Sequence, residues 1–145
     1  MISDHFLRLE QLFLKAPIQQ NIIGQTISIA EGTALIKYHV NNAFFHGGNA
    51  QHGAIYFKLL DDASYFAAAS LVSDRFLLTA SFEIKLFKPV TEGMLTATGS
   101  CKMAGDRIIY AEANLMNEHQ ELVATGAGRF QRGKQLWASL PGYSG

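Results

Sequence analysis

The chain has 145 residues, 48% of them hydrophobic and 17% charged, enough for one hydrophobic core, too few for two and too apolar for intrinsic disorder. Residues 1–145 are therefore expected to form a single domain. Twelve Lys and Arg offset twelve Asp and Glu, which leaves no net positive field to displace counterions from a nucleic-acid backbone. The one cysteine, Cys101, has no partner for an internal disulfide, a redox dithiol or a zinc ribbon, so it reads as a small core residue in a reducing compartment. Arg8, Glu10 and Lys15 interrupt the apolar residues near the N-terminus, and no run approaches the ~18 apolar residues needed to cross a bilayer. A cytoplasmic protein with neither a membrane nor a nucleic-acid partner is expected.

Ile2, Phe6, Leu9 and Phe13 recur at helical spacing, with Ser3 or Asp4 available as a cap and Pro17 as a stop, which predicts an amphipathic helix over 4–15. From Asn21 to Val40, Ala34, Ile36, Tyr38 and Val40 alternate with Leu35, Lys37 and His39, and Glu31-Gly32 marks a turn; this is a two-stranded hairpin. A polar loop, Asn41 to His52, leads into residues 53–70, which contain no Pro and no internal Gly and are apolar almost all round. Such a segment is a long helix enclosed by the rest of the fold. Four strands follow at about 78–88, 94–104, 107–117 and 121–131, separated by Pro89 to Gly93, Gly105-Asp106 and Asn117 to Gln120. The tail, 133–145, holds the only Trp and reads as irregular. This order predicts an α+β protein, an antiparallel sheet of about six strands wrapped around one long central helix, which is the hotdog fold.

Asp61 and Asp62 sit inside the apolar helix. An unpaired charge there costs several kcal/mol or is neutralised by a raised pKa. Lys58, four residues before Asp62, can pair with it on a solvated strip, which leaves Asp61 as the group to explain.

His52-Gly53-Ala54 followed by Leu59-Leu60-Asp61 resembles the signature of the PaaI-like hotdog thioesterases, and Thr79, Ile84 to Pro89, Gly93 to Gly99 and Leu122 to Gly126 extend the likeness over about 20–131. The resemblance implies hydrolysis of acyl-CoA thioesters without metal or organic cofactor. It assigns Asp61 as nucleophile or general base, the Gly53 backbone N–H as the donor polarising the carbonyl, and Thr79 as the group positioning water. It also implies a homodimer or a dimer of dimers. The sequence departs from the pattern in two places: His46 stands where the family usually has Asn, and Ala54 replaces a second glycine. Asn49 could supply the missing amide. His52 is expected beside the substrate with its ring bonded to nearby backbone, Tyr65 and Phe82 are candidate acyl contacts, and Lys88 is a candidate for the CoA phosphates alongside Arg107, Arg129 and Arg132.

Thioester hydrolysis needs an activated water and a donor aimed at the developing oxyanion, which a carboxylate and a helix N-terminus can supply. Eight helical residues separate Gly53 from Asp61, however, about 12 Å at 1.5 Å per residue. That is too far for both to act on one carbonyl carbon, so a site using both must be shared between two subunits. Two other readings remain open: a non-catalytic acyl-CoA-binding module, and an enoyl-CoA hydratase or dehydratase on the same fold.

Overall fold

The structure, a computed structural model, describes residues 4–144; Ile2 and Ser3 of the predicted first helix lie outside them. Its elements run α1 (Asp4–Lys15), β1 (Gln25–Ala30), β2 (Thr33–His39), α2 (Gly53–Ala69), β3 (Arg75–Leu86), β4 (Met94–Ala104), β5 (Ile108–Met116), β6 (Leu122–Leu136) and a terminal turn of helix, α3 (Pro141–Ser144). All six strands form one antiparallel sheet in the order β1-β2-β4-β5-β6-β3. This is the hotdog architecture: α2 is the central helix and the sheet curls around it.

The alternation seen in β2, β4 and β5 places Ile36, Tyr38, Leu95, Ala97, Ile109 and Leu115 in the core. They meet Ile55, Leu59, Leu60, Ala63 and Ala67 of α2. Period-2 burial on the sheet and nearly continuous burial on the helix are the two patterns a wrapped helix requires. Glycines set how closely the layers approach. A Cβ on Gly99 of β4 would lie 2.1 Å from the carbonyl oxygen of Ala63, and one on Gly126 or Gly128 of β6 would lie 2.6 or 2.4 Å from the Phe82 ring. Backbone of α2 thus rests directly on β4, while Phe82 lies over a bare patch of β6 with Phe57 and Phe130 at its edges.

The two sheet edges are treated differently. At β1, α1 lies alongside, and the Glu10 carboxylate accepts a 2.8 Å hydrogen bond from the Ile29 N–H. At the other edge β3 pairs only with β6, and it leaves Leu78 and Leu86 more than half exposed.

The tail differs from its predicted irregularity. β6 continues to Leu136 because Leu77 and Arg75 of β3 pair with Arg132 and Leu136, and Gly133 tolerates close passage of the Phe76 carbonyl. Trp137 then buries its ring and donates to the Val72 carbonyl at 2.7 Å. α3 docks on α1: Tyr143 stacks on Trp137, its hydroxyl meets His5 Nδ1 at 2.8 Å, and His5 Nε2 donates to the Ala69 carbonyl. These long-range partners leave no periodic trace in 133–145. Cys101 is also placed differently: it is half-buried, and its thiol donates to the Tyr110 carbonyl at 3.5 Å. It lies at a register irregularity in the β4–β5 pairing, where alternation into the core is interrupted.

The contact at Gly99 yields a prediction. Gly99→Ala must push α2 off β4, and overpacking of this kind typically costs about 1–3 kcal/mol. Urea unfolding should show a lower midpoint at unchanged slope; an unchanged midpoint would mean that the helix does not rest on this backbone.

Candidate active site

α2 starts at a capped end. The His52 Nδ1 accepts from the Ala54 N–H at 2.9 Å, and the His52 carbonyl accepts from the Ile55 N–H at 3.0 Å, so two of the free donors of the first turn are satisfied. The Gly53 N–H is left without an acceptor among the described residues. It opens on a cavity of about 330 Å³ lined by His46, Gln51, Gly53, Tyr56, Leu86 and Lys88, among others. With no side chain on Gly53, a ligand carbonyl can reach this donor at the positive end of the helix dipole.

The polar loop before α2 shapes the cavity. Asn49 adopts φ 65°, a left-handed conformation that Asn tolerates, and its N–H donates to the His46 carbonyl. The resulting turn directs the exposed His46 ring back onto the Gly48 N–H, which donates to Nδ1 at 2.9 Å. With both Nδ1 atoms accepting, the neutral His46 and His52 rings carry their protons on Nε2 as outward donors. His52 and Asn49 line neither this cavity nor the one holding Asp61. Gln51, which the sequence did not single out, and Tyr56, which reads there as a core or channel aromatic, also line the cavity. Buried Gln51 donates from Nε2 to the Phe44 carbonyl, and the buried Tyr56 hydroxyl donates to the Lys88 carbonyl, both at 2.9 Å. Lys88 itself reaches out to Glu121 at 2.6 Å.

Asp61, two turns further along α2, opens on a different cavity of about 480 Å³. The Thr79 hydroxyl donates to its Oδ1 at 3.2 Å. Thr79 reaches it because β3 is irregular here. The pairing slips between Thr79 and Ser81, and such a bulge re-aims the side chain beside it. A second slip, between Arg75 and Leu77, is spanned by Tyr65, whose hydroxyl donates to the Leu77 carbonyl at 2.8 Å and accepts from its N–H at 3.2 Å. The Tyr65 phenol is therefore committed to the strand, while the residue lines the cavity. Phe82 lies outside it, over Gly126 and Gly128.

Burial, with the neighbouring Asp62 charge, pushes the Asp61 carboxyl up to about 6, against the opposing pull of the Thr79 hydrogen bond and the Lys58 ammonium. The Lys58–Asp62 pair is not the solvated strip that the sequence suggests. Its side chains are 10% and 22% exposed at 2.7 Å separation, and Lys58 also donates to Gln19 and Gln25 while sitting over the Phe13 ring. The segment after α1 folds down onto α2 and excludes water from the pair. Burial raises the Asp62 carboxyl too, with Lys58 opposing it, and losing either partner strands a poorly solvated charge.

The sign of the Asp61 shift gives a testable pH dependence. The folded chain holds this proton to about pH 6, whereas an unfolded Asp releases it near 4. Between those values the unfolded state binds fewer protons, so this group's contribution to stability is present at about pH 4 and is lost as pH rises to about 6. Asp61→Asn, which cannot ionise, should match the wild-type Tm near pH 4 and exceed it above pH 6. Parallel melting curves with no such divergence would show that the carboxylate is not desolvated.

The model of the thioesterase superfamily matches residues 48–124, just over half of the chain, from the loop before α2 into β6. Among solved structures, the PaaI protein of the Escherichia coli phenylacetic acid degradation operon superposes with a TM-score of 0.83 at 22% identity, covering 92% of this chain and 96% of that one. A conserved protein of Pseudomonas aeruginosa gives 0.78 at 24% identity, over 86% of this chain and 98% of its own. A mutant of the phenylacetic acid degradation protein PaaI of Thermus thermophilus gives 0.73 at 20%, over 81% and 100%. No curated protein matches the sequence significantly. At these identities the structures share the fold, and the family model spans both Gly53 and Asp61 of α2. The chain thus belongs to the thioesterase superfamily and has its PaaI-like hotdog form.

Proposed function

We propose that the protein is an acyl-CoA thioesterase that hydrolyses its substrate by carboxylate-assisted attack of water at a site shared between two subunits. The observation that carries this reading is the distribution of groups on α2. The first residue presents an unpaired N–H beside Tyr56 and Lys88, the middle of the helix a desolvated carboxylate held by Thr79, and each opens on its own cavity. Each is half of a thioester-cleaving site, and about 12 Å of helix keeps the two halves of one chain apart.

A two-fold axis beside β3 resolves this. The unpaired edge of β3 can add a copy of itself antiparallel, and Leu78, Leu86 and Phe87, all exposed on or just beyond the strand, become buried. The substrate carbonyl then sits on the Gly53 N–H of one subunit, with Nε2–H of His46 as a second donor in place of the usual amide. Asp61 of the other subunit takes a proton from water as it attacks, with Thr79 steering the carboxylate. The tetrahedral oxyanion is held by the helix end and collapses with cleavage of the C–S bond, and the proton taken up by Asp61 passes to the leaving thiolate, which gives the free acid and the thiol and restores the carboxylate. Lys88 at the cavity rim meets a CoA phosphate. No helix among the described residues is long and apolar enough to cross a membrane, and we place the enzyme in the cytoplasm, where CoA esters are made.

Release of free thiol from acyl-CoAs tests the reaction. Asp61→Asn should lower kcat by about 10² to 10⁴, the range for loss of a general base, and wild-type activity should rise as pH passes about 6. Binding of acyl-CoA without thiol release at any pH would leave an acyl-CoA-binding module instead.

Mixed dimers test the shared site. A subunit carrying Asp61→Asn paired with one carrying Gly53→Val has one site with both wild-type groups and one with neither. Mixing equal amounts of the two inactive variants, with about half of the dimers mixed and one of two sites working in each, should therefore restore roughly a quarter of the wild-type activity, whereas sites contained within one chain would stay inactive. His46→Ala should lower kcat about tenfold or more, with His46→Asn milder; near wild-type rates for His46→Ala would leave this ring a loop residue.

A further inference from the structure

The 480 Å³ cavity beside Asp61 has walls that come mainly from outside the matched core of residues 48–124. Leu12 and Phe13 at the end of α1, Ile18 in the turn that follows, and Leu140 before α3 face Phe66 of α2 and Phe76 of β3. The lining is apolar except near Asp61, Asp62, Thr79, Lys15 and Gln19. Both terminal segments are held in place. Gln19 is tied to Gln25 and Lys58, and α3 is pinned to α1 through His5 and Tyr143. The wall is thus fixed before any ligand arrives, which lowers the ordering cost of filling the cavity.

We infer that this cavity is an acyl chamber that selects medium-length aliphatic chains, and that Ile18 and Leu140, contributed by the terminal segments, set its capacity. The inference rests on the thioesterase reading for the identity of the carrier. The occupant follows from the lining. An apolar cavity continuous with a carboxylate takes a chain whose reactive end is polar and whose remainder is hydrocarbon. Cavities of this size accept whole small ligands. At ~30 Å³ for a water-sized group the volume corresponds to roughly sixteen such groups at full occupancy. Because the cavity is open on one side, a chain of about eight to twelve carbons fits. Each methylene transferred from water into it should tighten binding by up to about fourfold until the chamber is full.

The test uses alkyl-CoA thioethers, which cannot be hydrolysed, with affinities read by calorimetry on the intact protein. Decyl-CoA should bind at least tenfold more tightly than butyl-CoA. Ile18→Asp is expected to fold because Ile18 is 49% exposed; it places a charge in the wall and should collapse that preference to within about twofold. Leu140→Trp fills part of the chamber and should move the preference to shorter chains; melting curves check that it folds, and Ile18→Asp stands alone if it does not. Equal affinities for the two thioethers in the wild type, or a preference that Ile18→Asp leaves intact, would overturn the inference. Tight decyl-CoA binding with no thiol release from decanoyl-CoA would count against the hydrolase reading and leave the chamber standing.

Discussion

The rest of the structure depends on the direct contact between the backbone of α2 and the sheet. Gly99 brings the Ala63 carbonyl against β4, and Gly126 with Gly128 gives Phe82 a flat seat on β6. With no side-chain layer between α2 and β4 at Gly99, helix and sheet cannot slide independently there, and a packed interior transmits displacement rather than absorbing it. The seventeen residues of α2 therefore act as a ruler. Whatever is fixed at its first residue fixes the position of Asp61 two turns on, and β3 is drawn in far enough for Thr79 to reach that carboxylate.

The surroundings of Asp61 balance opposing influences. Burial and Asp62 favour the protonated form, and Thr79 and Lys58 favour the anion. Lys58 is occupied by Asp62, Gln19 and Gln25, so the same ammonium that holds the segment after α1 against the helix also keeps Asp61 from rising further. A carboxylic acid poised near neutrality is suited to proton transfer. Electrostatics of the site and attachment of the N-terminal segment are thus one network.

The fold was legible because its two periodicities are strong: alternation in β2, β4 and β5, and an uninterrupted apolar stretch in α2. The boundaries that slipped did so where distant partners decide. β3 begins at Arg75 and β6 runs to Leu136 because each supplies the other's hydrogen bonds, and the docking of Trp137 and Tyr143 depends on Val72 and His5. Within the site, Asp61 could be singled out from residue type and context, and Gly53 from the family resemblance together with its place at the helix start. The bulge that turns Thr79 toward Asp61, the commitment of the Tyr65 hydroxyl to Leu77, and the support given by Gln51 and Tyr56 could not. These depend on a register slip and on hydrogen bonds whose partners no periodic pattern in the sequence marks. The Lys58–Asp62 pair was found by its spacing, but its burial depends on Gln19 and Gln25, which the helix sequence does not contain.

The unequal edges of the sheet limit how the molecule can associate. An exposed strand invites further strands, and a sheet bare on both sides can recruit copies indefinitely into a filament. Here one side is shielded by α1, with Glu10 occupying the Ile29 N–H, and only β3 is open. In the dimer proposed above, where β3 meets its own copy, the combined sheet would end on both sides at β1, under α1 and its carboxylate. A single glutamate and the helix carrying it would thereby make that proposed assembly self-terminating.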